Sequence, residues 1–361
     1  MVSLFDSSVP EPTELLRETV AEAFEGQISS RYASAFVSGN RFVVAALADH
    51  YGVSAGSVLC TTGATGALAL VYRALLAPGD RVLVERPGFD LFGSLADAAG
   101  MGVDHFERRP PDYRLDLDHI AACITRRTRM IVLSNLHNPS GKLIAPADLV
   151  ALAQLAERHN IYCVIDEVYR DYAPIAVAGA YGAGVSDRFI SISSMTKIFG
   201  LATLRCGWVI ADPAVTQKVR TLSDATEFGI SNLAHSVAAL VLEKPEPFTR
   251  YWQSMLTASR PVIEYYHRQW LFEGLVEGDL PDYGCITFPC LPDIPDTLAF
   301  ADWLCRSRGI AVAPGEYFGS PGHIRIGFGK DPKMLDSGLS QITEAFLAHR
   351  KGQVPGLVRQ C

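Results

Sequence analysis

From Arg41 onward, short uninterrupted apolar runs alternate with stretches of helical spacing. Residues 58–60, 81–84, 130–134, 161–165, 189–193 and 208–211 each read as a strand. Their apolar residues are continuous rather than alternating, which means strands buried on both faces. Such strands separated by helices specify a mainly parallel sheet with crossover helices. Residues 146–159 predict one of those helices: Leu149, Leu152, Leu155 and Ala156 share a face, and Pro146 suits the first turn. The pattern is helical again after Ser223 through Glu243, and residues 256–347 mix helices with short strands. The expected fold class is α/β, a mainly parallel central sheet plus a smaller α/β domain. The expected division is an N-terminal arm at 1–39, helical over 14–24 and contributing to the small domain, a large domain at 40–245, and a C-terminal small domain at 246–361.

Composition narrows the function classes. Hydrophobic residues make up 48% of the 361 and charged residues 20%, so a packed core is affordable and disorder is excluded. The net charge of -7 argues against a nucleic-acid partner, which needs clustered Lys and Arg. No run of about 18 apolar residues is present, so no membrane span is expected. The N-terminus lacks the basic start and apolar run of a signal peptide, which makes the cytoplasm the expected compartment. The eight cysteines include no C-x-x-C pair, so no metal site is expected, and most read as small buried hydrophobes.

Ligands of open α/β sheets bind beyond the carboxyl ends of the strands. After the first strand comes Thr61-Thr62-Gly63-Ala64-Thr65-Gly66-Ala67. Small residues opening a helix suit either a tight turn or a phosphate held on backbone N–H groups. The loop after the second strand carries Phe89, either a satellite core aromatic or a plate for a planar ring. The third strand runs into His137-Asn138-Pro139-Ser140-Gly141. This is a turn by composition, and it joins a site only if the Asn138 amide points inward. His137 reads as a solvated loop residue, with substrate contact as the alternative.

The fourth strand ends Val164-Ile165-Asp166-Glu167-Val168-Tyr169. A carboxylate at the end of an apolar strand is costly without a cationic partner, so Asp166 is the leading candidate for a functional charge. The fifth leads into Ser194-Met195-Thr196-Lys197, with Arg205 eight residues after the lysine, both cations among apolar neighbours. A lysine so placed can act as a nucleophile toward carbonyls. Arg325, in His323-Ile324-Arg325-Ile326, is either an edge-strand surface charge or a bidentate carboxylate clamp. A phosphate cradle, an aromatic plate, an acid for a pyridinium nitrogen, a nucleophilic lysine and a carboxylate clamp together form the part list for pyridoxal 5'-phosphate (PLP).

With these motifs in this order, over about residues 30 to 345, the chain resembles the class I/II aminotransferases, the fold type I PLP enzymes. The resemblance implies that Lys197 carries the cofactor as a Schiff base and shuttles the proton at substrate Cα. It implies that Asp166 pairs with the pyridinium nitrogen, and that Tyr169 and Asn138 hydrogen-bond the ring's phenolic oxygen. Ser194, Arg205 and the backbone at Gly63, Ala64 and Thr65 would hold the phosphate. Phe89 would stack on the ring, and Arg325, with Asn138, would hold the substrate. A homodimer with interface active sites is also implied, with Tyr32 reaching into the neighbouring site. The chain departs from the family pattern at Thr196, where many members have Ser, and at Thr203, where many have Gly. The spacing from Tyr32 to Gly39 is longer than usual.

The leading function is therefore transfer of an amino group between an α-amino acid and a 2-oxo acid. The alternative keeps the cofactor and changes the outcome: side-chain elimination with cyclisation, as in capreomycidine-synthase-like enzymes, or decarboxylation. A PLP-binding regulator would carry a DNA-binding helix-turn-helix ahead of this core, and only about 30 residues stand there.

Overall fold

The computed structural model describes residues 1–25, 31–32, 39–227 and 229–352. Its strands are β1 (Val2–Ser3), β2 (Val58–Thr62), β3 (Arg81–Arg86), β4 (Gly102–Glu107), β5 (Thr128–Ser134), β6 (Tyr162–Asp166), β7 (Phe189–Ser194), β8 (Cys206–Ile210), β9 (Ile286–Thr287), β10 (Ile310–Ala311), β11 (Ala313–Pro314) and β12 (Ile324–Gly327).

Seven of them form one sheet in the order β2-β8-β7-β6-β5-β3-β4. Only β8 opposes the common direction, pairing antiparallel with both β2 and β7. The inner strands β6 and β7 are buried almost throughout, which is why their sequences run apolar without alternation. β4, at one edge, carries Asp104, His105 and Glu107, as a strand with one solvated side should. Helices cover both faces. Leu68, Val71, Val215 and Val219 pack on one, Ile120, Leu149 and Leu152 on the other. The helix Pro146–His159 starts on its proline and stops where Asn160 turns left-handed at φ 53°.

Two expectations are corrected. The helical stretch after Ser223 is broken: the helix Pro213–Thr226 ends, and Ser231 caps a new one at Asn232–Glu243 by accepting from the Ala234 N–H. The C-terminal stretch opens on a 27-residue helix, Glu246–Phe272, which takes in the start of the mixed segment read from 256. That unit has its own apolar core around Trp270, Phe300, Ile326 and Phe346, and Leu4 of the N-terminal arm belongs to it. The arm is fastened there by the parallel pairing of β1 with β10. β12 lies between β11 and β9, so Arg325 is on a middle strand and buried, not an edge surface charge.

No helix among the described residues is long and apolar enough to cross a membrane. Their seven cysteines are unpaired, and Cys60, Cys163, Cys206 and Cys285 are buried; Cys361 lies outside the described residues.

The helix Gly63–Leu75 reaches the end of β2 only because Gly207 on β8 has no side chain. A Cβ there would overlap the Gly63 backbone. Gly207→Ala should therefore lower stability by about 1–3 kcal/mol. The check is the urea midpoint, with Gly56→Ala, whose added carbon meets only ordinary contacts at 3.6 Å, as control.

Candidate active site

The parallel strands deliver their carboxyl ends to one edge of the sheet. β8 runs the other way and so delivers its amino end there. Asp166 ends β6, Lys197 follows β7, Asn138 follows β5, Phe89 follows β3, and Arg205 immediately precedes β8. A cavity of about 390 Å³ opens at this edge. It is lined by Ala64, Thr65, Phe89, Asn138, Asp166, Tyr169, Ser194, Lys197, Arg205 and Arg325. Ten of the residues singled out from the sequence thus share one cavity.

Gly63 stands behind the wall rather than in it. It has φ 74°, and a Cβ there would come within 2.6 Å of the Arg205 guanidinium, so the glycine makes room for that side chain. Tyr32 is half-buried and does not line the cavity of its own chain. Phe89 packs edge-on against Phe92 at 5.7 Å and also lines the cavity.

Asp166 is buried, and burial pushes its carboxyl up to about 6, against the pull of the Val168 N–H and the Lys197 charge. The Tyr169 hydroxyl is buried with no protein partner. The Lys197 amine donates to Ser7 Oγ at 2.9 Å and lies 5.7 Å from the centre of the Tyr169 ring. Tyr172 donates to the Lys197 carbonyl at 3.0 Å and so fixes its backbone. Arg325 donates from Nη1 to Asn138 Oδ1 and from Nη2 to the Phe5 carbonyl, each at 2.9 Å, and its Nε has no partner. Because Oδ1 of Asn138 accepts from Arg325, Nδ2 remains as that amide's donor.

His137 corrects the sequence reading on both counts. It is fully buried, and it is absent from the cavity wall. Its Nε2 is 2.8 Å from the Pro87 carbonyl and its Nδ1 is 2.6 Å from Ser140 Oγ. Burial, with Arg108 nearby, holds its pKa well below the ordinary value, so the ring is neutral. A carbonyl only accepts, so Nε2 carries the proton and Nδ1 accepts from Ser140. The imidazole is a strut between the Phe89 loop and the Asn138 loop.

Beneath the same two loops lies a network that sequence reasoning missed. Glu85 Oε2 accepts from Arg108 Nη1 at 2.8 Å, with both side chains buried. Glu85 Oε1 takes the Ser134 N–H at 2.7 Å and its hydroxyl at 2.5 Å. Ser134 Oγ in turn accepts from the Asn138 N–H at 2.8 Å. The signal was present: Glu85 follows the apolar run Val82-Leu83-Val84, the pattern that marked Asp166. Phe5, Asp6, Ser7 and Ser8 also line the cavity, and no local pattern announces them.

Comparison with known proteins establishes the family and the fold. The model of the family "aminotransferase class I and II" matches residues 8–342. Capreomycidine synthase of Streptomyces vinaceus is 29% identical over 321 residues, 88% of this chain and 82% of that protein. The arginine–pyruvate transaminase of Pseudomonas aeruginosa is 29% identical over 344 residues, 91% and 84% of the two. A PLP-dependent aminotransferase from Streptococcus suis superposes with a TM-score of 0.86 at 24% identity, covering 97% of this chain and 94% of that one, which establishes the shared fold. The chain therefore belongs to the aminotransferase class I and II family of PLP-dependent enzymes.

Proposed function

We propose that this chain holds PLP in the cavity at the sheet edge and moves an amino group between an α-amino acid and a 2-oxo acid. The convergence of Lys197, Asp166 and the unpartnered Tyr169 hydroxyl on one cavity carries the reading. The residues fit the group. A buried carboxylate whose pKa is raised by desolvation suits a protonated ring nitrogen, and an orphaned buried hydroxyl suits a phenolic oxygen. In this reading the cofactor supplies an electron sink for the charge that develops at substrate Cα.

The protein's part is then as follows. Lys197 bonds the cofactor and moves the proton at substrate Cα. Asp166 keeps the ring nitrogen protonated. Tyr169 and Asn138 Nδ2 donate to the phenolic oxygen, and Phe89 covers one ring face. Ser194, Arg205 and the N–H groups at Ala64 and Thr65 hold the phosphate, with Gly63 making room for the Arg205 side chain. Arg325 grips the substrate carboxylate, with its Nε and Nη groups as the fork. We assign these parts to a large domain at 40–245 and to a small one at 246–361 that takes in the arm. Tyr32 would serve the neighbouring site of a homodimer.

The resemblance to capreomycidine synthase favours a second reading, elimination with cyclisation on the same scaffold. An amino acid added alone to the PLP-loaded enzyme separates the two. Pyridoxamine phosphate and a 2-oxo acid as products support transamination. Ammonia release with PLP intact supports the second reading. No PLP bound at all, or full turnover by Lys197→Ala, defeats both.

Arg325→Ala should raise KM for the amino acid by the equivalent of about 1.5–3 kcal/mol, roughly 10- to 100-fold, with PLP still bound. Steady-state kinetics and cofactor absorbance check it together. Asp166 sets a pH dependence in the cofactor-free protein. Its folded pKa of about 6 lies above the ordinary aspartate value of 3.8, so between these values the folded state binds more protons than the unfolded. Stability from this group is thus full at low pH and falls as pH rises to about 6. Asp166→Asn should stabilise the cofactor-free protein at pH 7 by about 1–3 kcal/mol and flatten its acid-side profile, read by urea unfolding across pH 4 to 8.

A further inference from the structure

Three consecutive residues of the N-terminal arm, all in the cavity wall, each bind a different cation. The Phe5 carbonyl accepts from Arg325 Nη2 at 2.9 Å, Asp6 pairs with Lys330 at 3.2 Å, and Ser7 Oγ accepts from Lys197 Nζ at 2.9 Å. The arm is not free to drift. Its first residues pair with β10, and the Gly327 N–H donates to the Leu4 carbonyl at 2.7 Å. Gly327 also approaches the Asp6 carbonyl so closely that any Cβ there would overlap it. Further along, Glu11 accepts from Thr203 Oγ1 at 2.8 Å, on the loop that carries Lys197. Ser7 is 6% exposed and sits in the cavity wall.

We propose that Ser7 is a positioning residue for Lys197, holding its amine in the direction from which it attacks the cofactor's aldehyde. The inference rests on Lys197 being the residue that bonds PLP. A lysine side chain has several rotatable bonds and much rotamer freedom to lose. Here both ends are anchored, the carbonyl by Tyr172 and the amine by Ser7. In the attachment reaction the deprotonated amine forms a bond to the aldehyde carbon. The aldehyde oxygen leaves as water with the two amine hydrogens, and a C=N bond replaces C=O. A fixed hydroxyl that takes one N–H restricts rotation about Cε–Nζ and so shortens the search for that geometry.

The test uses cofactor-free protein and two ligands. Pyridoxal phosphate reports covalent attachment through its absorbance. Pyridoxamine phosphate has no aldehyde and reports the non-covalent grip alone. Ser7→Ala should slow attachment by about fivefold to tenfold, the loss of one hydrogen bond, while the Kd for pyridoxamine phosphate stays unchanged. Ser7→Thr, which keeps the hydroxyl, should restore most of the rate. An unchanged attachment rate in Ser7→Ala overturns the proposal. So does a matching loss of pyridoxamine phosphate affinity, which would make the serine a general support of the pocket. Failure of the wild-type chain to take up pyridoxal phosphate defeats the underlying reading as well, and is distinguished by that control.

Discussion

Taking a carboxylate out of water is expensive, and two of the buried carboxylates at this edge of the sheet meet that cost with opposite answers. Glu85 meets an arginine and two donors from Ser134 within the protein. That closed network fixes the loops carrying Phe89 and Asn138, because Ser134 holds the Asn138 N–H and His137 ties Pro87 to Ser140. Asp166 receives one backbone N–H and only a distant pull from Lys197; burial raises the pKa of both carboxylates, so what separates them is their partners. The satisfied charge builds the floor of the site. The unsatisfied one is what the site has to offer a cationic partner.

The walls come from the two ends of the chain. Arg325 is contributed by β12 of the C-terminal unit, yet one of its donors goes to Asn138 after β5 and another to Phe5 in the arm. Three segments far apart in sequence therefore meet on one guanidinium, with Phe318 beneath it at 4.9 Å. Buried this deeply, the guanidinium needs those acceptors whether or not a substrate carboxylate is present.

What could be read from the sequence follows from how local each determinant is. β5, β6 and β7 are legible because burial on both faces leaves an apolar run, and the helix Pro146–His159 because its start and stop are marked by Pro146 and Asn160. Lys197, Asp166 and Asn138 are legible because each follows such a run. Arg325 defeats the same logic: β9 and β11 have two residues each, too short to show that β12 lies between them. His137 was misjudged because its turn composition suggests solvent, whereas the turn is sealed by Pro87 and Ser140. Ser7 leaves no local trace, since its partner is 190 residues away.

The lone antiparallel strand has a consequence for how the site is measured out. β7 and β8 are neighbours joined by residues 195–205, so Lys197 and Arg205 are the two feet of one hairpin loop. Under the proposed assignment of Lys197 and Arg205, their spacing in the sequence is a ruler: it would convert the width between adjacent strands into the distance between a cofactor's reactive end and its anionic end. Lengthening that loop by a residue would change this distance and also disturb the packing of Met195, Ile198 and Leu201, which the loop buries in two of the apolar cores.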